Sequence, residues 1–344
     1  MNRGFYKRIK DELNNNKNIY IVTVIKDKED KHLGKKMLKV NDEIIIEGEE
    51  NIEFYNKIIN KINFNEVGKI IKIDDDIEII IEHITSKPNL IICGGGHIAL
   101  SLASMAKMLD FNITVIDDRA EFANKERFPE VDNVICDNFS NALDIISSNK
   151  NSYFVVVTRG HKADQECVEK ILQNKFRYLG MIGSRGKVAH SINQLLEKGY
   201  TTEDINKVNA PIGISIGAKT PAEISVSIMA QIIQEKNNGN VSNIDEEILN
   251  DIVYSDNSKV LVSILHKRGS SPRGVDAKML VKDDSSFIGT IGGGMVEKVA
   301  YEKALDLIKE KKSHIESYDL SNSAAAKLGM ACGGTIKVLF EYIA

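Results

Sequence analysis

Residues 89–118 read NLIICGGGHIALSLASMAKMLDFNITVIDD. A short apolar run, three glycines, an Ala- and Leu-rich stretch over 99–111 and a second apolar run ending in two aspartates follow one another without a break. The order is strand, tight turn, helix, strand. Gly94, Gly96 and Ala99 fit G-x-G-x-x-G/A, and Asp117 stands at the end of the second strand. Each position has a physical task in a dinucleotide fold. Gly94 makes the turn, Gly96 lets the backbone approach a pyrophosphate, and Ala99 lets helix and strand pack closely. The helix N-terminus offers unpaired N–H groups and positive dipole. Asp117 is the expected acceptor for a ribose hydroxyl.

The alternation continues outward. Strands are predicted at 112–118, 133–137, 152–159, 178–183 and 213–217, with helices over 163–174 and through TPAEISVSIMAQIIQEK. Repeated strand–helix units predict a doubly wound parallel sheet with helices on both faces. Strand ends carry polar residues: Arg159, His161 and Asp164; Ser184, Arg185 and Lys187; Lys219 and Thr220. Ligands of open α/β sheets bind at such ends. Asp164 and Thr220 also suit the capping of the helices that follow. The fold class expected is α/β, a central Rossmann-like doubly wound sheet flanked by two smaller α+β lobes.

Those lobes read as a diverged repeat. The first opens on a helix with Phe5, Tyr6, Ile9 and Leu13 on one face, the second on one with Ile244, Ile248, Leu249 and Ile252. Each continues with an alternating strand, a Lys-Met-Leu strand (GKKMLKV, DAKMLVKDD) and a closing strand. The domains expected are a degenerate lobe at 1–87, the Rossmann-like domain at 88–236, a linker with leading helix at 237–257, and a motif-bearing lobe at 258–344. The second lobe holds three insertions that the first lacks: RGSSPRG (268–274), GTIGGG (289–294) and LGMACGG (328–334). Polar loops that a scaffold can do without point to a site.

The triple Gly292, Gly293, Gly294 precedes a helix without any dinucleotide context, so an anion is its natural ligand. Ser270 and Ser271 supply hydroxyls, and Arg273 a planar fork suited to phosphate. Glu297 reads either as the back-reaching half of a helix cap or as an acceptor for paired N–H groups of a heterocycle. Cys332, followed by Gly333 and Gly334, is a reachable thiol, a soft metal ligand or sulfur acceptor.

Bulk composition bounds the partners. Charged residues are 27% and the net charge is −4, with no basic stripe for nucleic acid. No apolar run approaches membrane-spanning length, and the N-terminus lacks a signal-peptide core. The 4 cysteines have neither redox-pair nor metal-site spacing, which suits the cytoplasm.

Taken together, GSSPRGVDAKMLV, GTIGGGMVEK and GMACGGTIKV, with LIICGGGHIA, VIDDR, VTRGH, MIGSR and PIGISIGAKTPAEI, resemble the XdhC/CoxI family of molybdenum hydroxylase accessory proteins. The resemblance covers 88–236 and 258–343. It implies a non-catalytic chaperone that transiently binds the molybdenum cofactor, a phosphorylated pterin dithiolene. Such a chaperone assists the cofactor's sulfuration and delivers it to xanthine dehydrogenase or a related hydroxylase. It also implies a cysteine desulfurase as sulfur donor and a homodimer. The family order commonly places the glycine-rich lobe first, whereas here the motif-bearing copy is C-terminal. The alternative is an NAD(P)-dependent oxidoreductase that uses the Rossmann domain for NAD(P) or another nucleotide, with His161 as its candidate acid or base.

Overall fold

The structure is a computed structural model that describes residues 3–15, 17, 19–29, 31–46, 52–238, 242–269, 277–319 and 334–344. The chain forms two units, Met1–Ser86 with Asn240–Ala344, and Lys87–Gly239. The flanking lobes expected as separate domains therefore fold together.

The N-terminal lobe runs α1 (Arg3–Asn14), β1 (Ile19–Lys26), β2 (Lys36–Val40), β3 (Glu43–Ile46), α2 (Ile52–Ile59), β4 (Ile70–Lys72) and β5 (Glu78–Ile84). Its sheet is ordered β3-β2-β1-β5-β4. All its ladders are antiparallel. α1 forms because Phe5, Tyr6, Ile9 and Leu13 recur on one face, and all four are buried.

The middle unit contains β6 (Asn89–Cys93), α3 (His97–Met108), β7 (Asn112–Asp117), β8 (Asn133–Cys136), α4 (Phe139–Ile145), β9 (Ser152–Val156) and α5 (His161–Leu172). It continues with β10 (Tyr178–Met181), α6 (Arg185–Glu197), α7 (Thr202–Asn206), β11 (Val208–Asn209) and α8 (Pro221–Asn237). The sheet is parallel and ordered β11-β10-β9-β6-β7-β8. Strand order reverses between β6 and β9, so the ligand crevice of such a fold opens there. One apolar layer joins Leu90, Ile92 and Val115 to Leu102 of α3 and Ile228 of α8. The other joins Ile91, Phe154 and Leu179 to helices α4, α5 and α6. The sixth strand corrects the sequence reading: it is Val208–Asn209, and 213–217 is not a strand. Gly213 and Gly217 sit at φ +92° and +74°, outside extended backbone, and Pro211 brings no N–H to a ladder.

The C-terminal lobe runs α9 (Glu246–Tyr254), β12 (Lys259–Gly269), β13 (Lys278–Lys282), β14 (Phe287–Gly289), α10 (Gly294–Glu310), β15 (His314–Asp319) and β16 (Gly334–Ile343). Its order, β14-β13-β12-β16-β15, repeats that of the first lobe. The registers repeat too. Thr23 pairs with Lys36 as Ser263 pairs with Lys278, and Ile21 pairs with Glu82 as Leu261 pairs with Glu341. Both central strands shift register at the same place, Val24/Lys26 and Ile264/His266. The diverged repeat is therefore real at the level of topology and pairing.

Each sheet turns one face to its own helix. Tyr55 and Ile58 of α2 cover Val22, Val24 and Met37. Ala300, Ala304 and Leu307 of α10 cover Val260, Val262 and Met279. The other faces meet in a shared core where α1 and α9 lie with Leu38, Leu261 and Leu280. Charged contacts across it are reciprocal. Lys36 Nζ lies 3.0 Å from the Glu341 carboxylate, and Lys278 Nζ 2.6 Å from that of Glu82. Repeat-equivalent residues thus exchange partners, as they do across a two-fold dimer interface. Burial alone would raise the Glu82 carboxyl, but Lys278 and Lys36 outweigh it and hold it below the ordinary carboxylate value.

Candidate functional site

The first glycine triple closes on its own chain. At Gly94, φ is +114° and a Cβ would stand 2.4 Å from the Val157 carbonyl oxygen, so only glycine fits. A Cβ at Gly95 would stand 2.1 Å from the Phe122 carbonyl oxygen. A Cβ at Gly96 would meet nothing within 4 Å, which leaves open space at the N-cap of α3. Ala99 is buried in the layer that α3 shares with α8. Gly94, Gly96 and Ala99 therefore hold the positions the motif requires.

Asp117 has a different task from the one its position suggests. Its carboxylate accepts from Gly95 N at 2.8 Å, from Arg119 N at 3.1 Å, and from Arg119 Nε and Nη2 at 2.8 and 2.9 Å. The residue is 1% exposed, so it clamps the turn and does not face a ribose. Burial pushes its carboxyl up, yet Arg119 and the Gly95 N–H outweigh this and hold it low. Arg119 also lies over the Phe122 ring, 3.7 Å from its centre. Arg127 donates Nε–H to the Gly95 carbonyl at 2.9 Å. Sequence reasoning passed over Arg119, Phe122 and Arg127; the Asp-x-Arg spacing in VIDDR was the available signal.

On the other strand ends, the capping readings divide. Thr220 caps α8 in a reciprocal box with Glu223, and Ser184 caps α6. Asp164 instead ties down the preceding loop, accepting from Thr158 N at 3.2 Å and Thr158 Oγ1 at 2.6 Å. Burial raises its carboxyl above the ordinary value despite those bonds.

The second triple also closes on a carboxylate. Gly292, Gly293 and Gly294 take φ of +123°, +74° and +71°. Glu297 accepts from Ile291 N at 3.0 Å, from Gly293 N at 3.1 Å and from the Thr290 hydroxyl. Gly292 N donates to Thr290 Oγ1 at 3.0 Å. Of the two roles open to Glu297, the geometry is that of the cap, reaching back around the turn. Burial pushes its carboxyl up, and the Thr290 hydroxyl with the loop N–H groups brings it below its ordinary value. A Cβ at Gly293 or Gly294 would meet nothing within 4 Å, so the outer side of the turn is open. Gly334 begins β16. Ser270, Ser271, Arg273, Cys332 and Gly333 lie outside the described residues.

Cys93 and Cys167 are buried and Cys136 is exposed, all three as free thiols. Cys93 beside it, together with burial, pushes the Cys167 thiol up. Among the described residues, no cluster of His, Cys, Asp and Glu has the form of a metal site. No described helix is long and apolar enough to cross a membrane.

Comparison with known proteins follows the same division. A family described as "XdhC Rossmann domain" matches residues 90–232, and one described as "XdhC and CoxI family" matches 255–319. Together they cover more than half of the sequence. This chain belongs to the XdhC/CoxI family. Among relatives of this XdhC protein, YqeB of Escherichia coli K12 is 35% identical over 153 residues, 44% of this chain and 28% of that one. A Bacillus subtilis 168 protein, described as a probable component of xanthine dehydrogenase, is 29% identical over 163 residues, 47% of each chain. The matched stretch thus spans less than half of either curated relative. A solved structure described as a xanthine dehydrogenase from Bacillus halodurans shares the fold, with a TM-score of 0.53, 24% identity, and coverage of 67% of this chain and 66% of that one.

Proposed function

We propose that this XdhC protein is an accessory factor in the maturation of xanthine dehydrogenase or a related molybdenum hydroxylase. It binds the molybdenum cofactor as cargo, assists its sulfuration by a cysteine desulfurase, and hands it to the client. The observation that carries the reading is the family match at 255–319, which takes in both RGSSPRG and GTIGGG. It falls on the lobe that adds these loops to a scaffold which the N-terminal lobe builds without them. The name of the Bacillus subtilis relative supplies the client.

The residues suit such a cargo by chemistry. Arg273 and the Ser270 and Ser271 hydroxyls match a terminal phosphate, and the Cys332 thiol matches a metal–sulfur end. Glu297 is a structural member of this site, since its carboxylate is spent on the turn. The Rossmann unit takes a nucleotide at Gly96, where the backbone is open to solvent.

Native mass spectrometry of the protein isolated from cells that make the cofactor tests the reading; cofactor should be released on denaturation. Arg273→Ala should weaken binding by about 1.5–3 kcal/mol, the worth of charge-assisted hydrogen bonds. Cys332→Ala should leave circular dichroism unchanged and reduce hydroxylase activation in vivo. Full activation by both variants rejects the site. Turnover of NAD(P)H by the isolated protein would favour an oxidoreductase instead.

A further inference from the structure

A nucleotide at Gly96 needs an acceptor for its ribose that Asp117 does not supply. In a dinucleotide fold that task falls to an acid at the end of the second strand, here β7. Asp117 holds the position with no capacity left. Its Oδ1 accepts from Arg119 N at 3.1 Å and Arg119 Nε at 2.8 Å. Its Oδ2 accepts from Gly95 N at 2.8 Å and Arg119 Nη2 at 2.9 Å. An ionised carboxylate offers about four acceptor sites, and all are taken. A ribose hydroxyl could bond Asp117 only by displacing Arg119 or opening the turn, and the residue is 1% exposed.

The next residue is placed differently. The Asp118 side chain is 46% exposed, and Arg119 Nε is 3.7 Å from its carboxylate, beyond hydrogen-bond reach. Its acceptors are therefore not spent on that guanidinium. Arg119 links the two carboxylates, and Asp117 in turn holds Gly95 N, so Asp118 stands one side chain away from the turn. Charge decides which ribose fits. Arg119 is the cation that would otherwise suit a 2′-phosphate. It is matched by Asp117, and Asp118 and the exposed Glu121 act on it as well. Arg127, the other cation here, is tied to the Gly95 carbonyl at 2.9 Å, on the turn itself. A phosphate on the ribose would meet Asp118 and Glu121 as like charges, which is how a site rejects a wrong ligand.

We propose that Asp118 is the ribose acceptor of this turn, and that it selects an adenine nucleotide with free 2′ and 3′ hydroxyls over one with a 2′-phosphate. The proposal rests on reading the Gly94–Gly96 turn as the nucleotide site. Asp117 is then a positioning residue, which holds Gly95 and Arg119 in place and touches no ligand.

The test uses the full chain, with NADH and NADPH as probes and calorimetry for affinity. NADH should bind roughly tenfold more tightly than NADPH, or better. Asp118→Ala removes the acceptor and the like charge together, so NADH should weaken roughly tenfold and NADPH should not. Because Asp118 is exposed, that variant should melt with the native chain. Asp117→Asn should melt lower and weaken both probes alike, leaving their ratio as it was. A ratio that answers to Asp117→Asn and not to Asp118→Ala overturns the proposal, as does NADPH binding as tightly as NADH. If both probes bind without preference, the nucleotide reading stands and the ribose assignment fails. If neither binds, the nucleotide reading fails and takes the assignment with it.

Discussion

The two flanking lobes share one topology and one register, yet they use it differently. The N-terminal copy closes its hairpin locally. The Asp27 carboxylate accepts from the His32 ring Nδ1 at 2.9 Å and from its backbone N–H at 3.0 Å, and the His32 ring stacks on Phe54 of α2 with ring centres 3.9 Å apart. The C-terminal copy has RGSSPRG in the corresponding connection and a glycine turn ahead of α10, where its longer helix begins. One sheet thus carries a connection that satisfies itself. The other carries a glycine turn that closes on Glu297 and Thr290, ahead of its helix. The comparison teaches that the first lobe's contribution is the interface: it supplies the second half of a two-fold core.

The largest expected effect lies in that interface. Glu341 is 1% exposed, sits 3.0 Å from Lys36, and accepts from the Tyr6 hydroxyl at 2.5 Å. Glu341→Leu should cost about 3–5 kcal/mol, because it takes the paired carboxylate away from a buried ammonium. Adding Lys36→Met should recover most of the loss. Glu82→Leu should cost less, since Glu82 is 14% exposed and lacks the tyrosine. Urea denaturation measures all three variants, and equal losses at Glu341 and Glu82 would break the asymmetry.

A smaller effect is expected at the glycine turn of the second lobe. Glu297→Ala leaves the Ile291 and Gly293 N–H groups without their acceptor and should cost about 1–3 kcal/mol. The sign with pH is fixed. The folded carboxyl titrates below its unfolded value, so its contribution is complete above the unfolded value and lost as pH falls through the folded one. Melting temperatures recorded between neutral and acidic pH should therefore fall more for the native chain than for Glu297→Gln. Parallel curves would show that the turn does not depend on the charge.

The smallest effect belongs to the first lobe's hairpin. His32→Ala removes the stack on Phe54 and one side-chain bond, and should cost about 0.5–1.5 kcal/mol. Hydrogen exchange should quicken in residues 31–35 and stay unchanged in β12 and β13. Faster exchange across both lobes would mean that this local contact supports the shared core.

Legibility followed the range of the interactions. The Rossmann turn was readable because its pattern is local: Gly94, Gly96 and Ala99 lie within one strand–helix junction. The repeat was readable from Lys-Met-Leu strands and helix faces, since all eight residues named for them are buried, although Ile244 stands just ahead of α9 rather than on it. Asp117 was located but not understood, because Arg119 and Gly95 compete for the carboxylate and only geometry decides between them and a ribose. The GISIG strand failed because β-branched residues outvoted two glycines that need positive φ. Nothing in the sequence paired Lys36 with Glu341 or Lys278 with Glu82. Each occupies a strand position that reads as solvent-facing until the second sheet arrives.

The discontinuous unit has a consequence during synthesis. The N-terminal lobe is complete at Ser86, but its partner begins beyond Asn240. At roughly 5–20 residues per second, it waits on the order of 10–50 s for the rest of its core. Through that interval Phe5, Tyr6, Ile9 and Leu38 have no second sheet to cover them. The reciprocity of the interface makes the delay hazardous. Lys36 of one nascent chain matches Glu82 of a neighbour on the same polysome as readily as it later matches Glu341 of its own. A chain that carries both halves of a dimer has to reach its own second half before it meets another's first.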